Sequence, residues 1–427
     1  MEKRKKITGQ IKIPQAKIES ISGFEKGIEK TLKKSITEIL EFILAGSISL
    51  QASDIHIEPE EEKAKLRIRV DGILQDVLFL DKKIYQSIVS RIKLLSELKL
   101  NVSDRPQDGR FSILSEQTTI EIRASSLPAE YGEAIVMRIL NPKSLINVEA
   151  LGLRQDLAQT FNKEIKKPNG MIIVTGPTGS GKTTTLYAIL KKLNKPQVKI
   201  ITIEDPIEYH LKGISQTQVD PQKGYDFASG LRSIMRQDPD VVLVGEIRDL
   251  QTAKIALQAA LTGHLVLSTL HTNDAAGTIA RLQALGEKPV NIAPSINIAI
   301  AQRLIRKICQ KCAKHEAPSP QEIKIIKKGL SSLPKGLKIP KITNLTKIPK
   351  PKGCRFCNNT GYKGRLGIFE FFLVEEEMEK FILKSPSISA LKEKAVKKGM
   401  VLMRQDGFIK VLEGKTTIEE VERVTSE

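Results

Sequence analysis

The run TGPTGSGKTTT, Thr175 to Thr185, decides the class of fold. Within it Gly176, Pro177, Thr178, Gly179, Ser180, Gly181, Lys182 and Thr183 satisfy G-x-x-x-x-G-K-[ST] without a mismatch. The run follows a short aliphatic stretch, Met171 to Thr175, and opens a helix-like one, Thr184 to Leu193. A polyphosphate needs that order of strand, glycine loop and helix start, because glycines let backbone N–H groups and a helix N-terminus close around its oxygens. In that setting Lys182 neutralises the β and γ charges, the Thr183 hydroxyl ligates Mg2+, and Thr184 completes the cradle, so ATP and Mg2+ are the implied cofactors. A glycine turn that binds nothing has no need of lysine and threonine at those two places.

Outward from the loop, Lys199 to Ile203, Val241 to Val244 and Leu265 to Ser268 are further short runs of β-branched and aliphatic residues, alternating with helical stretches. That order predicts a mostly parallel sheet covered on both faces, a doubly wound α/β core. Ligands of such sheets bind at the carboxyl ends of the strands, so acids just past these runs are candidate site residues. Glu246, in DPDVVLVGEIRD, emerges there and can hold Mg2+ or its water; the usual acid at this place is Asp, and Gly245-Glu246 narrows the kind of nucleotide-hydrolysing core. ITIEDPIEY gathers Glu204, Asp205 and Glu208 around Pro206, and a carboxylate from this loop can take the proton of an attacking water, with Mg2+ between the acids and the triphosphate. In LTGHLVLSTLHTNDA, His264 precedes and His271 follows a strand, so the pair cannot bracket a metal, and His271 lies at the nucleotide end.

The amino-terminal half reads differently. Residues 1–33 carry scattered Lys and Glu with little periodicity and are expected to form a mobile basic arm. Ile36, Ile39, Leu40, Ile43 and Leu44 then recur at helical spacing. SDIHIEP and AKLRIRVDG alternate as half-buried strands do, with Asp71-Gly72 as a hairpin turn. A helix over Ile84 to Leu98 and strands through Ile113, Ile120 to Ala124 and Ala134 to Leu140 complete an α+β domain over 34–140. The predicted division continues with a linker over 141–153, the ATPase core over 154–305, a cysteine-bearing element over 306–366 and a helical region over 367–427. Between Cys312 and Cys354 the chain is rich in Lys, Pro and Ser, the composition of a long, partly ordered surface excursion.

At 427 residues several domains are expected. No apolar run approaches the ~20 residues that cross a bilayer, so a cytoplasmic protein is expected. Lys plus Arg at 68 against Asp plus Glu at 49 gives +19, a charge drawn to nucleic acid or to an anionic membrane surface. Lysine supplies most of the excess and tryptophan is absent, which disfavours nucleic acid as the partner.

Cys309-x-x-Cys312 and Cys354-x-x-Cys357 use every cysteine of the chain. Paired C-x-x-C units in a reducing compartment predict tetrahedral Zn2+ rather than disulfides. The long spacer is no obstacle: loop closure costs ~0.6 kcal/mol per doubling of length, and structural zinc contributes roughly 10 to 16 kcal/mol.

Together the Lys182 loop, the EDPIE run, the GEIRD run and the TGH…LHTN run resemble the secretion ATPase family of type II secretion and type IV pilus assembly, whose Walker A, Asp-box, Walker B and His-box signatures occur in this order. SDIHIEP with RVDG, DGRFSI, EIRASSLPAEYGEAIVMRIL, QRLIRKICQKC, GCRFCNNTGYKGRLGIFE and GMVLMRQDGFIKVLEG look like further segments of that family, so the resemblance spans nearly the whole chain. It implies a RecA-like P-loop NTPase core, an N-terminal PAS-like α+β domain, a tetracysteine zinc element and a C-terminal helical tail. It also implies roles: Glu208 as catalytic glutamate with Glu204 the alternative, Glu246 near Mg2+, and His271 near the γ-phosphate. Arg123 and Arg138 match arginines that reach that phosphate, and Arg232 an arginine of the motor domain. Members work as homohexamers at the cytoplasmic face of the inner membrane, with a platform protein and a cytoplasmic membrane-docking protein as partners, and move pilin or pseudopilin. The tetracysteine element occurs in the assembly and secretion members and is missing from the retraction members. Where such members commonly carry a further docking domain, only a short basic stretch stands here, which leaves anionic lipid as a contact. Two other readings stay open: a ring ATPase acting on nucleic acid, and a nucleotide-sensing scaffold without turnover.

Overall fold

The computed structural model describes residues 9–13, 18–115, 118–334, 336–343 and 345–426. The chain forms two compact units. One comprises 1–144 with 309–313 and 351–363, and the other 145–308, 314–350 and 364–427.

The first unit contains β1 (Gln10–Lys12), α1 (Ile21–Thr31), α2 (Ile36–Ser49), β2 (Asp54–Pro59), β3 (Lys63–Val70), β4 (Ile73–Asp81), α3 (Lys82–Leu95), β5 (Gln107–Ser115), β6 (Thr118–Ala129) and β7 (Gly132–Leu140). Its sheet runs β1-β5-β6-β7-β2-β3-β4. Alternation sets the two faces: Ile55, Ile57, Leu66, Ile68, Phe111, Ile122, Ile135 and Met137 point into a core shared with the helices, and the residues between them point away. The hairpin between β3 and β4 turns at Asp71 and Gly72, both at positive φ (51° and 85°), as its Asp-Gly sequence predicts. Helix α2 starts at the Ser35 cap, with Glu38 answering as the reciprocal partner.

The expected arm over 1–33 needs correction. Residues 1–8 and 14–17 lie outside the described residues. Within the rest, β1 pairs in parallel with β5, and α1, capped by Ser20, buries Phe24 and Ile28 completely. With only these two fully buried residues a turn apart among lysines and glutamates, the helix gave too short an apolar stripe to stand out by period.

The second unit contains α4 (Gln155–Glu164), β8 (Gly170–Thr175), α5 (Lys182–Leu193), β9 (Ile200–Glu204), β10 (Ser215–Gln218), α6 (Phe227–Met235), β11 (Val241–Val244), α7 (Leu250–Leu261), β12 (Leu265–Leu270), α8 (Gly277–Ala284), α9 (Pro289–Ile292) and β13 (Ile296–Ile308). There follow β14 (Lys314–Glu316), α10 (Pro320–Gly329), β15 (Ile348–Lys350), β16 (Tyr362–Leu373), α11 (Glu376–Ile382), α12 (Ile388–Lys397), α13 (Met403–Leu412) and α14 (Ile418–Thr425). The central sheet runs β10-β9-β11-β12-β8-β13-β16, and its pairings from β10 to β13 are parallel. Strands β8, β11 and β12 are buried along their whole length, which is why they read as unbroken apolar runs.

Three expectations change here. The linker over 141–153 is two short 3-10 turns, Pro142–Ser144 and Val148–Leu151, and Val148 and Leu151 are buried against Phe161, Ile172 and Val174. The helical region does not begin at 367: Ile368, Phe369, Phe371 and Phe372 are buried from both sides in β16, and helices resume only at Glu376. The element over 306–366 is divided, because 309–313 and 351–363 belong to the first unit. The excursion between them forms the antiparallel β14–β15 pair and α10, whose Ile326 packs in one cluster with Phe408, Val411 and Val421. The carboxyl-terminal helices are fixed to the core by a buried charge cluster, in which Asp406 accepts from Arg154 Nη1 (2.6 Å), Lys410 Nζ (2.5 Å) and the Phe369 N–H (2.9 Å). Among the described residues no helix is long and apolar enough to cross a membrane.

Candidate functional site

The loop from Gly176 to Gly181 leaves the buried strand β8 and ends at the first turn of α5. Gly181 caps that helix at φ 89° with no side-chain hydrogen bond, which keeps the first-turn N–H groups available to a ligand. Glycine is required at both ends of the loop: a Cβ on Gly176 would lie 2.5 Å from the Gln302 carbonyl oxygen, and one on Gly181 2.7 Å from Gln302 Nε2. Gln302, on β13, is buried and accepts from Thr185 Oγ1 at 2.6 Å, so it pins the start of α5 from behind. Lys182 Nζ donates to the carbonyls of Gly176 (2.7 Å) and Pro177 (3.1 Å). Burial pushes its pKa down, and the charge of Glu246 opposes that shift. The Ser180 hydroxyl is buried and has no partner in the loop. An orphaned hydroxyl, a folded-back lysine and an uncapped helix start fit a triphosphate, whose oxygens satisfy all three. Thr183 is exposed at the same helix start, where its hydroxyl is available to Mg2+.

Glu246 stands two residues past the end of β11, after Gly245, so that strand delivers it to the carboxyl edge of the sheet. It pairs with Arg248, and its Oε2 lies 3.7 Å from His271 Nε2. The Glu246 hydrogen bond raises the Arg248 pKa, with the charge of Asp205 acting in the same direction. Burial, then the charge of Lys182, lowers that of His271. The structure therefore gathers Lys182, Glu246, His271, Arg248 and Asp205 into one electrostatic group. The His271 segment is held to the loop by Thr272, whose N–H donates to Thr175 Oγ1 at 2.8 Å. His264, at the other end of β12, packs its Nδ1 3.1 Å from the Ala259 carbonyl, away from this group.

Glu204 is the last residue of β9 and is buried. Its carboxylate accepts from Tyr187 Oη (2.5 Å), Thr202 Oγ1 (2.6 Å) and Gln216 Nε2 (3.2 Å). Burial and the adjacent Glu204 charge push the Tyr187 phenol up. Gln216 also holds the Tyr209 carbonyl and the Leu211 N–H, so this network fastens the segment that carries Glu208. Glu208 itself is half-buried on that segment. Arg232 is exposed on α6. There the Ser229 backbone N–H foremost, with the Arg232 charge adding, keeps the Asp226 carboxyl below its usual range. Arg123 and Arg138 belong to the first unit, where they are direct cross-strand partners on β6 and β7. Gln302, Tyr187 and Arg248 were not anticipated. The RD that closes GEIRD was visible, but nothing in the local pattern marks Gln302 or Tyr187, because their role comes from packing between distant strands and helices.

Also in the first unit, the four cysteine sulfurs lie within 4.8 Å of one another. Cys309 and Cys354 are 3.9 Å apart, Cys312 and Cys357 3.8 Å, and Cys354 and Cys357 3.7 Å. A tetrahedron with Zn–S bonds of ~2.3 Å requires sulfurs ~3.8 Å apart, whereas a disulfide requires ~2 Å. The N–H groups of Cys354 and Gly361 both point at Cys357 Sγ from 3.2 Å, the outer-shell support that a metal-bound thiolate uses. These residues fit zinc.

Residues 29–423 match the family described as Type II/IV secretion system protein. The chain belongs to that family. Among its secretion-system relatives, the type II secretion system ATPase E of Vibrio cholerae is 43% identical over 394 residues, 92% of this chain and 76% of the relative. The type IV pilus assembly ATPase PilB of Acinetobacter baylyi is 42% identical over 394 residues, 92% of this chain and 66% of the relative. The crystal structure of the pilus retraction motor PilT with bound ADP superposes with a TM-score of 0.60 at 26% identity, covering 90% of this chain and 96% of that one. The family match takes in the P-loop core and the first unit from residue 29 onward.

Proposed function

We propose that this chain is an ATP-hydrolysing motor, working as a homohexamer, that powers assembly of a type IV pilus or a type II secretion pseudopilus. The observation that carries this reading is 42–43% identity over 92% of the chain to ATPases of both systems. ATP seats its phosphates on the N–H groups of Thr178 to Thr184, with Lys182 on the β and γ oxygens. Thr183 and Glu246 hold Mg2+ or its water, and the metal supplies charge neutralisation at the transferred phosphoryl group. Glu208 takes the proton of the attacking water. Glu204 anchors the segment, because its carboxylate already accepts three hydrogen bonds. His271 meets the γ-phosphate edge beside Glu246. Arg123 and Arg138 contribute guanidinium charge to the γ-phosphate and Arg232 acts from the motor domain; planar forks of this kind stabilise the charge that develops in hydrolysis.

The four cysteines hold Zn2+ as a structural staple, which favours extension or export over retraction. The partners that follow are a platform protein and a cytoplasmic docking protein at the inner membrane, with anionic lipid as an added contact for a +19 chain. The test is a strain whose own copy carries Lys182→Ala: it should lose surface filaments or secreted cargo while making normal amounts of the protein. Purified wild-type turnover that rises many-fold with DNA, in a salt-sensitive way, would instead favour the nucleic-acid motor.

A further inference from the structure

Five strands of the first unit's sheet carry a charged residue at one level. The register pairs Arg110 with Arg123, Arg123 with Arg138, Arg138 with Asp54 and Asp54 with Arg69. The row lies on the face opposite the core, since Phe111, Ile122, Met137, Ile55 and Ile68, each next to one of these residues, are buried. Like charges directly opposite one another across strands are destabilising. Three adjacent arginines therefore break a local rule, and well-packed sheets break such rules where function requires it.

Asp54 is the one acid in the row. Its side chain is 9% exposed, against 57% for Arg138. Asp54 Oδ2 accepts from Ser53 Oγ at 2.8 Å and lies 3.4 Å from Arg69 Nε, which fixes the carboxylate from one side. On the other side Oδ1 accepts from Arg138 Nε at 3.1 Å. Gripping the Nε leaves the Nη fork of an exposed guanidinium presented outward, the part that engages two phosphate oxygens at once.

We propose that Asp54 is a positioning residue for Arg138, a carboxylate clamped by Ser53 and Arg69 that holds the Arg138 guanidinium by its Nε and leaves the Nη fork exposed. The proposal rests on the reading above that Arg138 meets the γ-phosphate. Asp54 touches no substrate and acts only through Arg138. Its removal lowers turnover by releasing the arginine and leaves the Lys182 cradle as it was. Such an interaction, realised only as charge develops, changes kcat rather than KM.

The test is a double-mutant cycle in ATP hydrolysis by the full-length protein: wild type, Asp54→Ala, Arg138→Ala and the double variant, with thermal unfolding recorded for each. Asp54→Ala is expected to lower kcat three- to tenfold with KM for MgATP within twofold. In the Arg138→Ala background it is expected to change kcat by less than twofold. Should Asp54→Ala not fold, the cycle is run with Asp54→Asn, which keeps an oxygen opposite Nε and is expected to give a smaller loss that also vanishes without Arg138. An equal loss from the Asp54 change in both backgrounds, or a change in KM alone, overturns the proposal while leaving Arg138 its role. If Arg138→Ala itself keeps wild-type kcat, the reading of Arg138 fails and this proposal with it.

Discussion

Glu246, just past β11, and His271, just past β12, face each other with 3.7 Å between Oε2 and Nε2, and both interact with the charge of Lys182. Burial first, then Lys182, holds the His271 imidazole below its ordinary pKa, and Glu246 only partly offsets them. The unfolded chain takes up this proton at the ordinary pH and the folded chain at a lower one. Between the two values the unfolded state holds more protons, so the contribution of His271 to stability falls as pH falls through that window. At neutral pH the ring is uncharged beside Glu246. An NMR titration, with His271→Gln assigning the signal, should show a midpoint below 6.5; a midpoint at or above it contradicts this geometry.

Glu204 and Glu208 stand four residues apart and are predicted to fail differently. Glu208→Gln should keep the fold and ATP binding and lower kcat ~100-fold or more, as removal of a general base does. Glu204→Gln places an amide opposite the Tyr187 and Thr202 hydroxyls, and should cost about 1–3 kcal/mol of stability. Urea unfolding beside turnover separates the two. Equal stability loss in both variants would show that the assignment of anchor and base is wrong.

Asp406 has two cations and a backbone N–H on its carboxylate and no exposure to solvent. Asp406→Ala strands Arg154 and Lys410 as unpaired buried charges, which costs roughly 3–5 kcal/mol. Chemical denaturation should show that loss. A change under about 1 kcal/mol would mean that the cluster relaxes into water.

Much of this architecture was legible in the sequence, and the reasons are local. The glycine loop, the alternation in SDIHIEP and AKLRIRVDG and the Asp71-Gly72 turn each declare themselves within a few residues. Helix α1 was not legible, because its fit depends on Phe24 and Ile28 entering a core built mostly from later strands. Strand β16 was misplaced because a segment buried on both faces carries no period that separates strand from helix. In the site, Glu246 and His271 follow from strand ends, but the grip of Tyr187 on Glu204 and of Gln302 on α5 joins elements far apart in the chain.

Zinc makes a separate prediction for the first unit. Sulfurs 3.7–3.9 Å apart should hold one zinc per chain after purification without chelator. Cys354→Ser should lower zinc content and thermal stability together, since binding free energy at a structural site is folding free energy. Four thiols that react freely with a thiol reagent in the native protein, with no metal found, would contradict it.

The measurement closest to the central claim is steady-state ATP hydrolysis by purified wild type and by Lys182→Ala, with and without Mg2+. Turnover that needs Mg2+ and falls at least ~100-fold in Lys182→Ala, with unchanged thermal unfolding, is the predicted result. Tight ATP binding without turnover in the wild type, or turnover that survives the loss of Lys182, would contradict a motor built on this cradle.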